Sequence, residues 1–192
     1  MPKRIFIWIA HPKTGSLNAA LAARYAKGAT AKGALVRTMS LADMDFDDSF
    51  DGYDKTRPLA PDLAKWQENV AWANHVMIVH PYWWGAMPSK AKAVLDMALL
   101  PGFAYKYHAR GVAWDKLLTG RTGDAIITSD TPPWIDTLIY RSPGRRVMRN
   151  QVMKFCGVIP RKVVQLGSVK LASADKITRW LDRAERMGAA AA

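Results

Sequence analysis

Apolar residues gather in five short runs along the chain, at residues 5–10, 35–41, 75–80, 124–129 and 163–166. Runs this short and this rich in branched side chains suit strands buried in a sheet. Between them the pattern changes to helical spacing. Residues 16–32 are rich in alanine and end at Gly33, and from Asp62 apolar residues recur at Leu63, Trp66, Val70 and Ala73. Pro88, suited to a first helical turn, opens a helix to about residue 99, and residues 145–155 form another that stops at Cys156 and Gly157. Ser173 caps a last helix through Ile177, Trp180, Leu181 and Ala184. Strands alternating with helices predict an α/β fold, a doubly wound sheet of five parallel strands covered on both faces.

Three stretches fit neither period. Residues 43–54 hold six aspartates and read as an exposed excursion, while residues 100–123 and 130–143 read as long loops. Loops of that length in a compact domain usually serve a site or an interface. No linker or repeat divides the chain, so residues 1–187 are expected to form one domain, followed by a disordered alanine-rich tail at 188–192.

With 192 residues, 49% apolar and 23% charged, the chain can bury one substantial core. Its apolar runs stay well short of the about 18 residues that a membrane helix needs. Cys156 is the sole cysteine, which excludes an internal disulfide and a cysteine-based metal centre and suggests the cytoplasm. No metal is expected. The net charge of +12 is unevenly spread: Arg141, Arg145, Arg146, Arg149, Lys154, Arg161 and Lys162 cluster late. Such a balance suits nucleic acid, anionic lipid or phosphorylated ligands. Nucleic acid is not expected, because the aromatics sit with strand ends rather than among the basic residues.

Ligands of open parallel sheets bind at the carboxyl ends of the strands. The first strand ends in His11, Pro12, Lys13, Thr14, Gly15, Ser16, Leu17 and Asn18, which joins hydroxyls, an amide and a flexible glycine to a helix start. Helix starts attract phosphate. The loop lacks the spacing of a dinucleotide fingerprint or a P-loop. The third strand empties into Pro81, Tyr82, Trp83, Trp84 and Gly85, where the tryptophans are either a core wedge or a wall for a flat ligand. The fourth ends in Thr128, Ser129, Asp130, Thr131, Pro132, Pro133 and Trp134. A phosphate loop, an aromatic loop and a polar loop on one edge suit a planar phosphorylated cofactor such as a flavin.

These pieces, in this order, resemble the flavodoxin-like NAD(P)H:quinone oxidoreductases, a family that includes DT-diaphorase and the ancillary flavoproteins of potassium-efflux systems. The resemblance rests on His11-Pro12 with Ser16-Leu17-Asn18, Gln67, Pro81 through Gly85, Pro88 with Lys90 and Lys92, Gly102 through Tyr107, and Phe155-Cys156-Gly157. It implies a flavodoxin-like fold in which His11, Ser16, Leu17 and Asn18 surround the flavin phosphate. Pro81, Tyr82, Trp83, Trp84 and Gly85 would line the ring, with Gln67 also contributing and Thr128, Ser129 and Asp130 near its pyrimidine edge. Tyr105 and Tyr107 would reach across a homodimer into the partner's substrate pocket, opposite Trp134. The Thr-Thr-Gly-Gly segment common in the family is here Thr128-Ser129-Asp130-Thr131 followed by two prolines, and no histidine follows His108. The Tyr–His relay of DT-diaphorase is therefore missing.

The expected activity is a ping-pong transfer of two electrons from NAD(P)H, through FAD or FMN, to a quinone-like or other electrophilic acceptor. Arg141, Arg145 or Arg146 is the expected partner for the 2′-phosphate of NADPH. The alternative is a regulatory flavoprotein that docks on a membrane potassium-efflux transporter through its basic late segment. An electron-carrier flavodoxin fits less well with the net charge of +12 and the tyrosine-bearing loop.

Overall fold

The computed structural model describes residues 1–53 and 58–192. Asp54, one of the six clustered aspartates, lies outside the described residues. Five strands form one parallel sheet: β1 (Arg4–Ile9), β2 (Leu35–Ser40), β3 (His75–Pro81), β6 (Thr122–Thr128) and β7 (Ile159–Leu166), in the order β2-β1-β3-β6-β7. A separate two-stranded hairpin pairs β4 (Tyr105–Tyr107) with β5 (Trp114–Lys116).

Alternation along β1 divides the core between the two faces of the sheet. Ile5, Ile7 and Ile9 pack with Leu21, Tyr25, Ala184 and Met187, which belong to α1 (Leu17–Ala31) and α6 (Ala174–Ala191). Phe6 and Trp8 pack on the other face with Leu63, Trp66 and Val70 of α2 (Pro61–Trp72), and with Val94 and Leu95 of α3 (Ser89–Ala98). Met148 and Met153 complete that face. They come from a π-helical turn, Val147–Lys154, that continues the short helix α5 (Pro143–Arg146). The doubly wound architecture predicted by the sequence is thus the observed one.

Several expectations need correction. The tail at 188–192 is not disordered: α6 runs to Ala191, because Gly188 lets it lie against the backbone of Tyr25 while Gly28 accepts Glu185 in return. A Cβ at either glycine would run into the opposing carbonyl. The loop expected over 100–123 contains the β4–β5 hairpin, and that over 130–143 contains α4 (Pro133–Leu138). The fifth strand begins at Ile159, ahead of Pro160, which an edge strand tolerates, with a register shift opposite Gly123 and Asp124.

The amino end of the sheet is closed by a polar chain whose central members, His75, Tyr25 and Asp124, are buried. Thr122 Oγ1 meets His75 Nδ1 (2.7 Å), His75 Nε2 meets the Tyr25 hydroxyl (2.8 Å), and Tyr25 donates to Asp124 Oδ2 (2.9 Å). The Lys162 backbone N–H then donates to Asp124 Oδ1 (2.9 Å).

Candidate active site

The strand order reverses between β1 and β3, since β2 lies on one side of β1 and β3 on the other. There, beyond the carboxyl ends of β1, β3 and β6, lies a cleft of about 360 Å³ lined by residues of all three following loops. After β1 the chain turns sharply enough for the Lys13 N–H to donate to His11 Nδ1 (2.9 Å). Gly15, with φ +62°, supplies the left-handed residue that directs the chain into α1. Ser16 caps that helix by accepting from Ala19 N (3.3 Å), and the remaining first-turn N–H groups have no intrahelical acceptor.

The cleft is richer in donors than in acceptors. Partial burial, and then Lys13, lower the His11 pKa, so the ring is neutral. Because Nδ1 accepts, the proton resides on Nε2. Asn18 is buried; its Oδ1 accepts from the Thr128 hydroxyl (2.7 Å), while its Nδ2 has no partner. A buried amide N–H left unpaired costs about 1–3 kcal/mol, which a ligand acceptor would recover. Together with Lys13 and the start of α1, these groups suit an anion such as phosphate.

Thr128 and Ser129 line the same cleft, but their hydroxyls are engaged within the protein. Ser129 Oγ donates to Thr131 O (2.8 Å) and accepts from Gln165 Nε2 (2.9 Å), and Asp130 Oδ1 accepts from Lys170 N (2.8 Å). These residues shape the loop; they do not present free hydroxyls to a ring edge. Lys13 and Val169 join the lining although the sequence did not single them out as site residues. Val169 arrives there because its N–H donates to Ser129 O (3.1 Å), a contact with no local sequence signal.

The tryptophan pair is not a core wedge. Trp83 and Ala86 exchange backbone hydrogen bonds of 2.8 and 2.9 Å around a tight turn whose central residues, Trp84 and Gly85, have φ of +50° and +80°. Positive φ at both central positions is the pattern of a type I′ turn. Trp84 is fully exposed and Trp83 is 46% exposed, with the His11 ring edge-on to Trp83 at 5.6 Å. A bulky residue held left-handed and exposed carries backbone strain of about 1–3 kcal/mol, a feature that clusters at ligand clamps. Tyr82, next in the wall, accepts from Gly144 N (3.3 Å), and any side chain at position 144 would run into its ring. Burial raises the Tyr82 phenol above its usual range, so it stays protonated.

Other predicted site residues are not brought into the cleft. Gln67 donates to Ala98 O (2.7 Å) and ties α2 to the end of α3. Tyr105 packs edge-on against Tyr107 (5.1 Å) and Phe155 (5.0 Å), while Tyr107 faces solvent. Trp134 stands exposed on α4 beside the cleft without lining it. Arg145 is already engaged by Asp136 (3.2 Å), Thr137 Oγ1 (2.6 Å) and Ser142 Oγ (2.6 Å), which removes it as a free partner for a 2′-phosphate. Arg141 and Arg146 are exposed.

A family model described as flavodoxin-like fold matches residues 3–187. No curated protein matches the chain in sequence. Among solved structures it is similar to Smu.1420 from Streptococcus mutans, with 25% identity and a TM-score of 0.84, covering 97% of this chain and 99% of that one. It is similar also to an NAD(P)H:quinone oxidoreductase from Methanothermobacter marburgensis (21% identity, TM-score 0.81, 98% of each chain). A third is an FMN-dependent NADH-azoreductase from Bacillus anthracis in complex with FMN (17% identity, TM-score 0.71, 98% of each chain). At these identities the last two likenesses show the fold. With the family match running over nearly the whole chain, this protein belongs to the flavodoxin-like fold family.

Proposed function

We propose that this chain is a flavin-dependent NAD(P)H oxidoreductase that reduces a quinone-like or azo acceptor by two electrons. The observation that carries the reading is the unpartnered Asn18 amide beside the start of α1, set against the exposed Trp83–Trp84 turn: an anion site and an aromatic wall in one cleft. The similar structures whose own descriptions name a quinone reductase and an FMN complex support it, and favour FMN over FAD. A bound flavin supplies hydride acceptance and donation.

The chain's own residues bind and orient. Lys13, His11 Nε2–H, Asn18 Nδ2–H and the first N–H groups of α1 hold the phosphate, and Trp83 with Tyr82 positions the ring. Trp84 and Trp134 are the exposed aromatics at the mouth, available to cover the nicotinamide and then the acceptor. One face serves both in turn, so the kinetics are ping-pong. The net reaction takes NAD(P)H, a quinone and one proton to NAD(P)+ and the hydroquinone. With no histidine after His108, that proton comes from solvent and not through a Tyr–His relay. Tyr105 and Tyr107, which do not line this chain's own cleft, serve the partner's cleft in a homodimer. The single, buried Cys156 fits a reducing compartment such as the cytoplasm.

The test is reconstitution. Purified protein titrated with FMN and FAD should bind FMN at one per chain and then oxidise NADH or NADPH in the presence of benzoquinone. Folded protein that binds neither flavin contradicts the reading.

A further inference from the structure

Helix α4 buries its acid and exposes its apolar side chains. Asp136 is 1% exposed, whereas Trp134 and Leu138 are 62% and 74% exposed. A carboxylate kept out of water is costly unless donors meet both of its oxygens. One oxygen is met: Oδ2 accepts from Arg145 (3.2 Å), whose same nitrogen also donates to Thr137 Oγ1 and Ser142 Oγ (2.6 Å each). The Ser142 N–H closes this bracket by donating to Asp136 O (2.8 Å), with Arg141 and Ser142 both left-handed at φ of +59° and +55°. Asp136 Oδ1 is buried and has no donor among the described residues.

The missing donor stands in the wall of the cleft. Tyr82 lines the cleft, and its hydroxyl accepts from Gly144 N (3.3 Å), which leaves the phenol proton to be given elsewhere. The Gly144 backbone lies so close to the ring that no Cβ fits between them, so the ring is held against the bracket. Asp136 is within hydrogen-bonding reach of the phenol: after burial, its carboxylate adds to the raised pKa of Tyr82. Pairing the Tyr82 O–H with Asp136 Oδ1 satisfies both groups at once.

A buried ion pair adds little net stability over apolar side chains of the same shape. What this one adds is geometry. Arg145 directly follows Gly144, so whatever holds Arg145 also holds the N–H that meets Tyr82. Tyr82 in turn leads into the turn that carries Trp83 and left-handed Trp84, and its own N–H is fixed to Thr128 O (2.7 Å). We propose that Asp136 is a positioning residue for the cleft: by accepting the Tyr82 O–H and holding Arg145, it fixes Tyr82 against Gly144 and sets the orientation of the Tyr82–Trp83 wall. This rests on the function proposed above, in which that wall positions the flavin ring.

The test is a double-mutant cycle on the full chain with Asp136→Asn and Tyr82→Phe. It is read by FMN titration, by the visible circular dichroism of the bound flavin, and by chemical denaturation without flavin. Each single variant should weaken FMN binding about fivefold and change the flavin band in the same way, and the double variant should bind no more weakly than either. Losses that multiply in the double variant, or single variants that lose stability but keep the wild-type affinity and flavin band, overturn the proposal. If Asp136→Asn does not fold, Tyr82→Phe, which keeps the ring and removes one oxygen, carries the same prediction alone. Wild-type protein that binds no FMN contradicts the flavin reading instead. The denaturation cycle, which needs no flavin, then decides whether Asp136 and Tyr82 act together, and additive stability losses overturn that link.

Discussion

The two ends of the central sheet treat polar groups in opposite ways. At the amino end, Thr122, His75, Tyr25, Asp124 and the Lys162 N–H form one directional chain of hydrogen bonds, with His75, Tyr25 and Asp124 buried at its centre. With Tyr25 donating to Asp124, His75 donates to Tyr25 from Nε2; burial keeps the ring neutral, so Nδ1 accepts from Thr122. Burial lowers its pKa to about 3, with Lys3 and Arg161 adding to the effect. At the carboxyl end the pairing is incomplete. Asn18 Nδ2 has no partner, and His80, which uses Nδ1 on its neighbour Pro81 O (2.8 Å), leaves Nε2 buried and unpartnered. Trp84 is strained and exposed in the same region. Closed networks specify the fold, whereas open valences and strain mark where a ligand is expected to complete the structure.

The sharpest way to break this contrast is to open the closed end. Asp124→Ala leaves the Tyr25 O–H and the Lys162 N–H without their acceptor, and should lower stability by about 3 kcal/mol in chemical denaturation, yet leave FMN stoichiometry unchanged in the folded protein. An equal loss of flavin binding would show that the ends are coupled.

Acid titrates the same contrast. His75 and His80 have folded pKa values of about 3 and about 4, below the ordinary 6.5. Each takes up a proton more readily when unfolded, so the stability it supports is full above pH 6.5 and falls as pH drops toward the folded values. By pH 5 this amounts to about 2 kcal/mol per histidine. Asp124, raised by burial, works in the opposite sense and offsets part of the loss. His75→Gln keeps a donor toward Tyr25 but cannot take the extra proton, so its melting temperature should vary less between pH 7 and 5 than that of the wild type.

At the open end the same kind of substitution should act on binding more than on folding. Asn18→Ala is expected to weaken FMN binding about tenfold, at a stability cost of about 1 kcal/mol from the lost Thr128 contact. Trp84→Gly relieves the positive φ and should raise stability by about 0.5–1 kcal/mol, while FMN binding weakens a few-fold. A Trp84→Gly protein less stable than wild type would contradict the account of strain at this turn.

What the sequence discloses follows from how locally each feature is determined. Strands β1 and β3, the Ser16 cap and the helix-start loop are written in neighbouring residues, so the sheet and the helix-start side of the cleft are legible. The tail was not, because the order of α6 depends on Gly188 meeting Tyr25, far away in the chain. Nor was the hairpin, whose strands pair Tyr105 with Lys116 and Tyr107 with Trp114 without an alternating pattern. Arg145 looked available because its partner, Asp136, reaches it only through left-handed turns at Arg141 and Ser142, residues that do not advertise that conformation. Gln67 matched a family position, but its amide is taken by Ala98 O. Ser129 was legible as a cleft residue; the engagement of its hydroxyl by Gln165 was not.

We propose the unsatisfied carboxyl end of the sheet as a flavin site. Fluorescence titration of FMN into purified protein tests it most directly, with Asn18→Ala and Asp124→Ala measured alongside. The account predicts saturable quenching at one FMN per chain, weakened by Asn18→Ala and unchanged by Asp124→Ala. Absence of quenching with folded wild-type protein, or equal loss in both variants, would contradict it.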